Sequence, residues 1–214
     1  MYNLHCHSLL SDGCLLPSEL AMRYMAAGYK AIAITDHADY SNIEQICDSI
    51  VTFTKNWPKS LPLKIYPGVE LTHLPPEQFE PLAVFARKMG IRVIVAHGQS
   101  PVEPVIAGTN KAALEADIDI LAHPGMITDS EVQLAKKNGI FLEITSRRGH
   151  NQTNAHVAKK ALKFRAKLIL NHDSHDPDDI TGPRQLVKVG LDAGLTTHQI
   201  DAIYKDVSLF LKSK

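Results

Sequence analysis

Seven short runs rich in Ile, Val, Leu and Ala recur along the chain, at 2–7, 31–35, 63–66, 92–96, 118–122, 140–144 and 167–171. Val93-Ile94-Val95-Ala96 is typical: apolar positions follow one another without alternating with charge, as in a strand covered on both faces. Apolar residues at helical spacing predict helices at 17–27, 81–89, 111–116, 129–138, 154–164 and 183–193, with a terminal helix at 197–212. Gly28, Gly90, Gly139 and Gly194 each lie just past such a segment, where a left-handed residue closes a helix. Strand and helix alternate from end to end without repeat or linker, which predicts one α/β domain over residues 1–214 with the terminal helix packed on it. Parallel strands flanked by helices build an open doubly wound sheet or a closed barrel, and periodicity does not separate the two. Ser11-Asp12-Gly13, after the first run, is neither GxGxxG nor a Walker loop, so nothing marks the nucleotide-binding open sheet.

Composition narrows the classes. The chain has 214 residues, 44% of them hydrophobic, with 23 basic and 23 acidic side chains, so charge gives no pull toward nucleic acid. No run approaches the roughly 20 apolar residues of a membrane span, and the N-terminus lacks a charged-then-apolar leader, which predicts a cytoplasmic protein. Cys6, Cys14 and Cys47 show no CxxC spacing and read as reduced thiols. The 11 histidines are more than twice the load expected at on the order of 2% of residues. His5 and His7, at i and i+2 on a strand, share one face while Cys6 points away. His37 follows the second run, Glu70 the third, His97 the fourth, His123 the fifth, and Asp173 with His175 the seventh. In a barrel of parallel strands these carboxyl ends converge on one rim. Imidazole and carboxylate donors without thiolates suit Zn, Mn or Fe, and the number of donors predicts two or three divalent ions. Clustered ions of this kind activate water and clamp oxygens in phosphoryl hydrolysis.

In order, the motifs are His5-x-His7, Ser11-Asp12-Gly13, Thr35-Asp36-His37, Gly68-Val69-Glu70, Ala96-His97-Gly98, Ala122-His123-Pro124 and Asn171-x-Asp173-x-His175. This series resembles the PHP family, the polymerase and histidinol phosphatase superfamily, over residues 1 to about 180. The resemblance implies a distorted (β/α)7 TIM-like barrel, a di- or trinuclear metal centre and phosphoester hydrolysis. It also implies that His5, His7, Glu70 and Asp173 hold a first ion, that Glu70, His97 and His123 hold a second with Glu70 bridging, and that Asp12, His37 and His175 hold a third. Some members carry histidine near Asp12. Asn3 departs from an aspartate often found before the first histidine, which would loosen the orientation of the imidazole pair.

Arg147-Arg148-Gly149-His150 follows the sixth run on the same rim. A guanidinium fork matches phosphate oxygens, so either Arg147 or Arg148 is a candidate substrate clamp, with a solvated basic loop as the plain alternative. Glu143, on the sixth run, would orient a ligand or pair with an arginine. Asp36 and His150 are candidates to pass a proton to the leaving alcohol, and Asp36 reads equally well as a cap on its own loop. Asp39 and Tyr40 line the pocket or the loop surface; His172, opposite in parity to Asp173, reads as packed or solvated, and His73, His156 and His198 carry no assigned role. The expected function is hydrolysis of a small phosphorylated metabolite, a monoester, by in-line attack of a metal-bridging hydroxide. A phosphodiesterase or exonuclease is the rival within hydrolases. A non-catalytic metal-binding or regulatory domain is the rival outside them, and the full ligand set counts against it.

Overall fold

In the computed structural model, which describes Met1–Lys214, the apolar runs form parallel strands β1 (Tyr2–Asn3), β2 (Ala31–Ile34), β3 (His37–Ala38), β4 (Lys64–Leu71), β5 (Val93–His97), β6 (Ile120–Ala122), β7 (Phe141–Thr145) and β8 (Leu168–Asn171). They pair in the order β1-β2-β4-β5-β6-β7-β8, with β3 also against β4. Ala31 opposes Lys64 and His37 opposes Glu70, the same offset, so β2 and β3 are one barrel stave interrupted at Thr35-Asp36. Seven staves result, as the apolar pattern predicts. The seam between β1 and β8 closes through a bridge at Cys6 and Ser174, with His7 N donating to Ser174 O at 2.9 Å and Asp173 N to His5 O at 3.0 Å.

Side chains stitch the rest of that seam. Leu4 N donates to Asn171 Oδ1 and His172 N to Asn3 Oδ1, so amides of two asparagines stand where main-chain ladder bonds would run. The first predicted strand, 2–7, is accordingly a two-residue ladder followed by extended chain. The third is longer than the 63–66 predicted. Pro67 and Gly68 read as a break, yet Pro67 keeps its carbonyl in the ladder, accepting from Arg92 N at 2.8 Å. Gly68 is required there because a Cβ would lie 2.8 Å from Ile34 O and 2.6 Å from Thr35 Cγ2. Glu70 therefore sits inside β4, rigidly held, and not in the loop beyond it.

Helices α1 (Pro17–Ala26), α2 (Ile43–Asn56), α3 (Phe79–Lys88), α4 (Thr109–Glu115), α5 (Asp129–Asn138), α6 (Asn154–Phe164), α7 (Pro183–Asp192) and α8 (Thr197–Lys212) surround the barrel. Of these, α2 is absent from the elements predicted above. Its Ile43, Ile46, Cys47 and Ile50 are buried at helical spacing, and the signal was present in the sequence. Gly28, Gly90, Gly139 and Gly194 all adopt positive φ, the left-handed stop expected of them. Strands β2, β5, β6, β7 and β8 are buried along their whole length, which is why they carry unbroken apolar runs. No helix is long and apolar enough to cross a membrane.

Candidate metal centre and substrate cavity

At the carboxyl end of the barrel, the extended chain after β1 turns His5 and His7 to the same side, with both rings fully buried and their centroids 5.1 Å apart. His5 Nε2 lies 3.2 Å from Glu70 Oε2 and 3.5 Å from Asp173 Oδ1; His7 Nε2 lies 3.5 Å and 3.2 Å from the same two atoms. These approaches lack hydrogen-bond geometry. His5 Nε2, both nitrogens of His7 and both Glu70 oxygens are buried without a hydrogen-bond partner, as is His123 Nδ1. A buried polar atom left unpaired costs about 1–3 kcal/mol. A cation between His5 Nε2, His7 Nε2 and the Glu70 oxygens would satisfy those four atoms together, so this donor set fits a divalent metal, and imidazole with carboxylate oxygen suits Zn, Mn or Fe.

The ligating atoms gather into groups that agree only partly with the three sets the resemblance implies. His5, His7 and Glu70 form one group, and His5, His123 and Asp173 another, with all ligating atoms of each within 4.8 Å of one another. Asp12, His37 and His175 form a third, joined by His7, and Asp12 Oδ1 stands 3.4 Å from His175 Nε2 and 3.6 Å from His37 Nε2. Gly13 makes this bend possible, because a Cβ there would fall 2.4 Å from His7 O. Glu70, His97 and His123 are neighbours but not one such group. His123 Nε2 is 3.9 Å from Glu70 Oε1 and the His97 and His123 rings are 4.4 Å apart, yet His97 Nε2 faces Glu103 Oε2 at 2.6 Å. Glu103 belongs to none of the sequence motifs, and neither does His73, which also approaches it at 3.3 Å. No local pattern marks Glu103, which lies in the long loop between β5 and α4.

Behind the first group, Glu143 is fully buried on β7. Its Oε1 accepts from His5 Nδ1 at 2.7 Å and from Asn171 Nδ2 at 2.9 Å, and its Oε2 accepts from His123 N at 3.1 Å. With Nδ1 donating to Glu143, His5 presents the lone pair of Nε2 to the cluster. Asn3 touches neither ring of the pair. Its side-chain amide donates to His5 O and Tyr24 Oη, so the orientation that its replacement of aspartate was expected to loosen comes from Glu143 instead. His123 and Asp173 both adopt left-handed backbone, φ 26° and 56°, at the ends of β6 and β8. Non-glycine residues held there mark positions where the surrounding structure, including the Glu143 bond to His123 N, overrides local preference.

Burial would lower the His5 pKa, but Glu143, Glu70 and Asp173 outweigh it and push it well above its ordinary value. Burial would likewise raise Glu70, and His5 and His37 drive it well below the usual carboxylate range instead. His7 and His123 are pushed down, first by burial and then by neighbouring imidazoles, His37 and His97 respectively. They are thereby kept in the neutral form that ligates metal. Three carboxylates around His5 create a field that calls for positive charge.

Above the cluster opens a cavity of about 420 Å³, polar apart from Ala38. Arg147 lines it, with Nη1 3.0 Å from Asp179 Oδ2, and it is the one arginine or lysine to do so. Arg148, its neighbour, is exposed and outside the cavity, so the two candidates for the clamp are distinct in the fold. His150 lines the cavity, buried, with its ring centroid 4.3 Å from that of His123 and Nε2 3.3 Å from Glu103 Oε1. Asp36 does not line it. Its carboxylate accepts from Ser8 N at 2.7 Å and from the hydroxyls of Ser8 and Ser11 at 2.8 Å each, which makes it the anchor of the loop carrying Asp12 and agrees with the loop-cap reading. Asp39 reaches the cavity and Tyr40 stays exposed outside it. His172 is packed between Tyr29 and Ser146, the buried one of the two placements its parity allows.

The PHP domain family model matches residues 3–155. An uncharacterized protein of Methanocaldococcus jannaschii is 43% identical over 205 residues, covering 94% of this chain and 93% of that protein. The DNA polymerase/3'-5' exonuclease PolX of Bacillus subtilis is 24% identical over 234 residues; the match takes in 98% of this chain but only 40% of the polymerase. Among solved structures, a histidinol phosphate phosphatase from Lactococcus lactis, complexed with zinc, L-histidinol and phosphate, superposes with a TM-score of 0.62 at 17% identity, covering 91% of this chain and 94% of that one. That likeness establishes the shared barrel.

Proposed function

The chain belongs to the PHP domain family of metal-dependent phosphoesterases, and from that premise we propose that it hydrolyses the monoester of a small phosphorylated metabolite. The observation that carries this reading is the convergence of unpartnered buried atoms of His5, His7 and Glu70 beneath a small polar cavity that holds one guanidinium. Two or three divalent ions held by His5, His7, Asp12, His37, Glu70, His97, His123, Asp173 and His175 would lower the pKa of water from about 15.7 toward neutrality and neutralise phosphoryl charge.

The remaining work falls to the chain. Arg147 offers its guanidinium to the phosphate oxygens while Asp179 fixes its direction, and such a charge-assisted fork is the strong form of phosphate recognition. Glu143 keeps His5 in the ligating tautomer. His150, buried at the cavity wall, is positioned to give a proton to the departing alcohol. A cavity of about 420 Å³ suits a metabolite, and the balance of 23 basic against 23 acidic residues gives the chain no net pull toward a nucleic-acid backbone.

The test is metal analysis of the purified chain, followed by assay of the metallated form on matched phosphomonoesters and phosphodiesters, including single-stranded oligonucleotides. Release of phosphate from monoesters, dependent on metal, is expected. Faster cleavage of diesters would replace this reading with the exonuclease one, which the similarity to PolX favours. Bound metal with no hydrolysis of either class would replace it with a non-catalytic metal-binding domain.

A further inference from the structure

The segment 98–108 between β5 and α4 carries Glu103 across the cavity, where three imidazoles surround its carboxylate. His97 Nε2 lies 2.6 Å from Oε2, His73 Nε2 lies 3.3 Å from the same oxygen, and His150 Nε2 lies 3.3 Å from Oε1. No lysine or arginine pairs with it. The tautomer of His97 is informative: Nδ1 donates to Gly98 O at 3.0 Å, which leaves the lone pair of a neutral ring on Nε2, directed at a carboxylate oxygen. Two acceptors at that distance repel unless positive charge holds them, either a proton on Nε2 or a metal ion bound by both groups. His73 supplies a further donor by an unusual backbone, φ 52° just past the end of β4, which sets its ring 4.5 Å from that of His97. Left-handed conformation at a non-glycine residue is an observed strain that invites a functional account. The ligating atoms of His73, His97 and Glu103 lie within 4.8 Å of one another.

We propose that His73, His97 and Glu103 bind a divalent transition-metal ion at the mouth of the cavity, with Glu103 as a ligand delivered by the 98–108 loop. Two imidazole nitrogens and one carboxylate oxygen are a donor set that zinc and cobalt accept, with room for exogenous ligands in the remaining positions. Because His97 can give Nε2 to one ion at a time, this outer site competes with the Glu70, His97 and His123 set, and the position of the loop decides between them. The competition rests on the phosphoesterase reading; the outer site rests on its own geometry.

The full-length chain, stripped of metal, is titrated with Co²⁺ alone, reading equivalents bound, calorimetric affinity and the visible absorption of the bound cobalt. Glu103→Gln and His73→Asn are compared with wild type; both positions are partly exposed, and each variant checks the other. Each is expected to weaken one and the same class of site by a factor of at least about 10 and to change its absorption band, leaving the other equivalents in place. Hydrogen exchange in 98–108 is expected to slow on Co²⁺ addition in wild type and not in Glu103→Gln. Wild-type affinity and spectrum in both variants would overturn the outer site while leaving the phosphoesterase reading intact, and an effect of one variant without the other would overturn the three-ligand set. A wild-type chain that binds no Co²⁺ at all would overturn both readings.

Discussion

Glu143→Gln removes one charge and one acceptor from the carboxylate behind His5 while keeping its shape. Three donors meet that carboxylate: His5 Nδ1 at 2.7 Å, Asn171 Nδ2 at 2.9 Å and His123 N at 3.1 Å. A glutamine can keep its oxygen toward His5 and Asn171, but its amide nitrogen then faces the His123 N–H, donor against donor. The reverse orientation loses two bonds and is worse. One orphaned, fully buried N–H costs about 1–3 kcal/mol, which for a chain of this length lowers Tm by about 2–12 °C at roughly 2–4 °C per kcal/mol. The His5 tautomer is also held less firmly, by a neutral acceptor in place of a charged one. Loss of such a partner weakens metal binding by about 10- to 100-fold. Thermal unfolding of the metal-free variant reads the first effect, and competition for Zn²⁺ against a chromophoric chelator reads the second. Affinity unchanged within about twofold would refute the orienting role of Glu143, and a lower Tm alone would confine its part to bracing His123.

Four further outcomes follow from the same geometry. Arg147→Ala should reduce kcat/KM on phosphomonoesters by about 10- to 100-fold, the worth of one charge-assisted bond, whereas Arg148→Ala should leave it within about twofold; equal effects would show that the loop is only a diffuse positive surface. Glu70→Gln should abolish turnover and reduce bound metal with the far-UV circular dichroism unchanged, and a fully active variant with normal metal content would end its assignment as a shared ligand. Chelation should lower Tm by about 5–11 °C from a protein held at 100 times Kd, since that saturation contributes about 2.7 kcal/mol, and a Tm indifferent to chelator would mean that the unpartnered atoms do not bind metal in solution. Gly13→Ala should weaken the site of Asp12, His37 and His175 selectively, because the added Cβ falls 2.4 Å from His7 O and the loop must shift; metal content equal to wild type would show that the loop tolerates the change.

How far the chain could be read from its letters depends on the range of the forces involved. The staves at Val93–His97 and Phe141–Thr145 are legible because burial on both faces demands an unbroken apolar run, a purely local consequence of the barrel. Their ends locate the rim, and with it His97, His123 and Asp173. Strand β4 resisted the same reading because Pro67 and Gly68 carry turn chemistry locally and ladder chemistry in context; only the approach of Ile34 and Thr35 explains the glycine. Arg147 and Arg148 are adjacent and chemically identical, and what separates them is Asp179 on another loop, which holds the first toward the cavity and leaves the second in solvent. Asp36 shows the converse. Its motif position beside a ligand suggested chemistry, and Ser8 with Ser11 consumes its acceptors instead. Glu103 is the extreme case: a loop carboxylate without period, cap or motif, brought to His97, His73 and His150 by the path of a segment whose conformation no local rule sets. Donors on strand ends are therefore readable from the apolar runs, whereas a loop residue is readable only through a motif, which Asp12 has in Ser11-Asp12-Gly13 and Glu103 lacks.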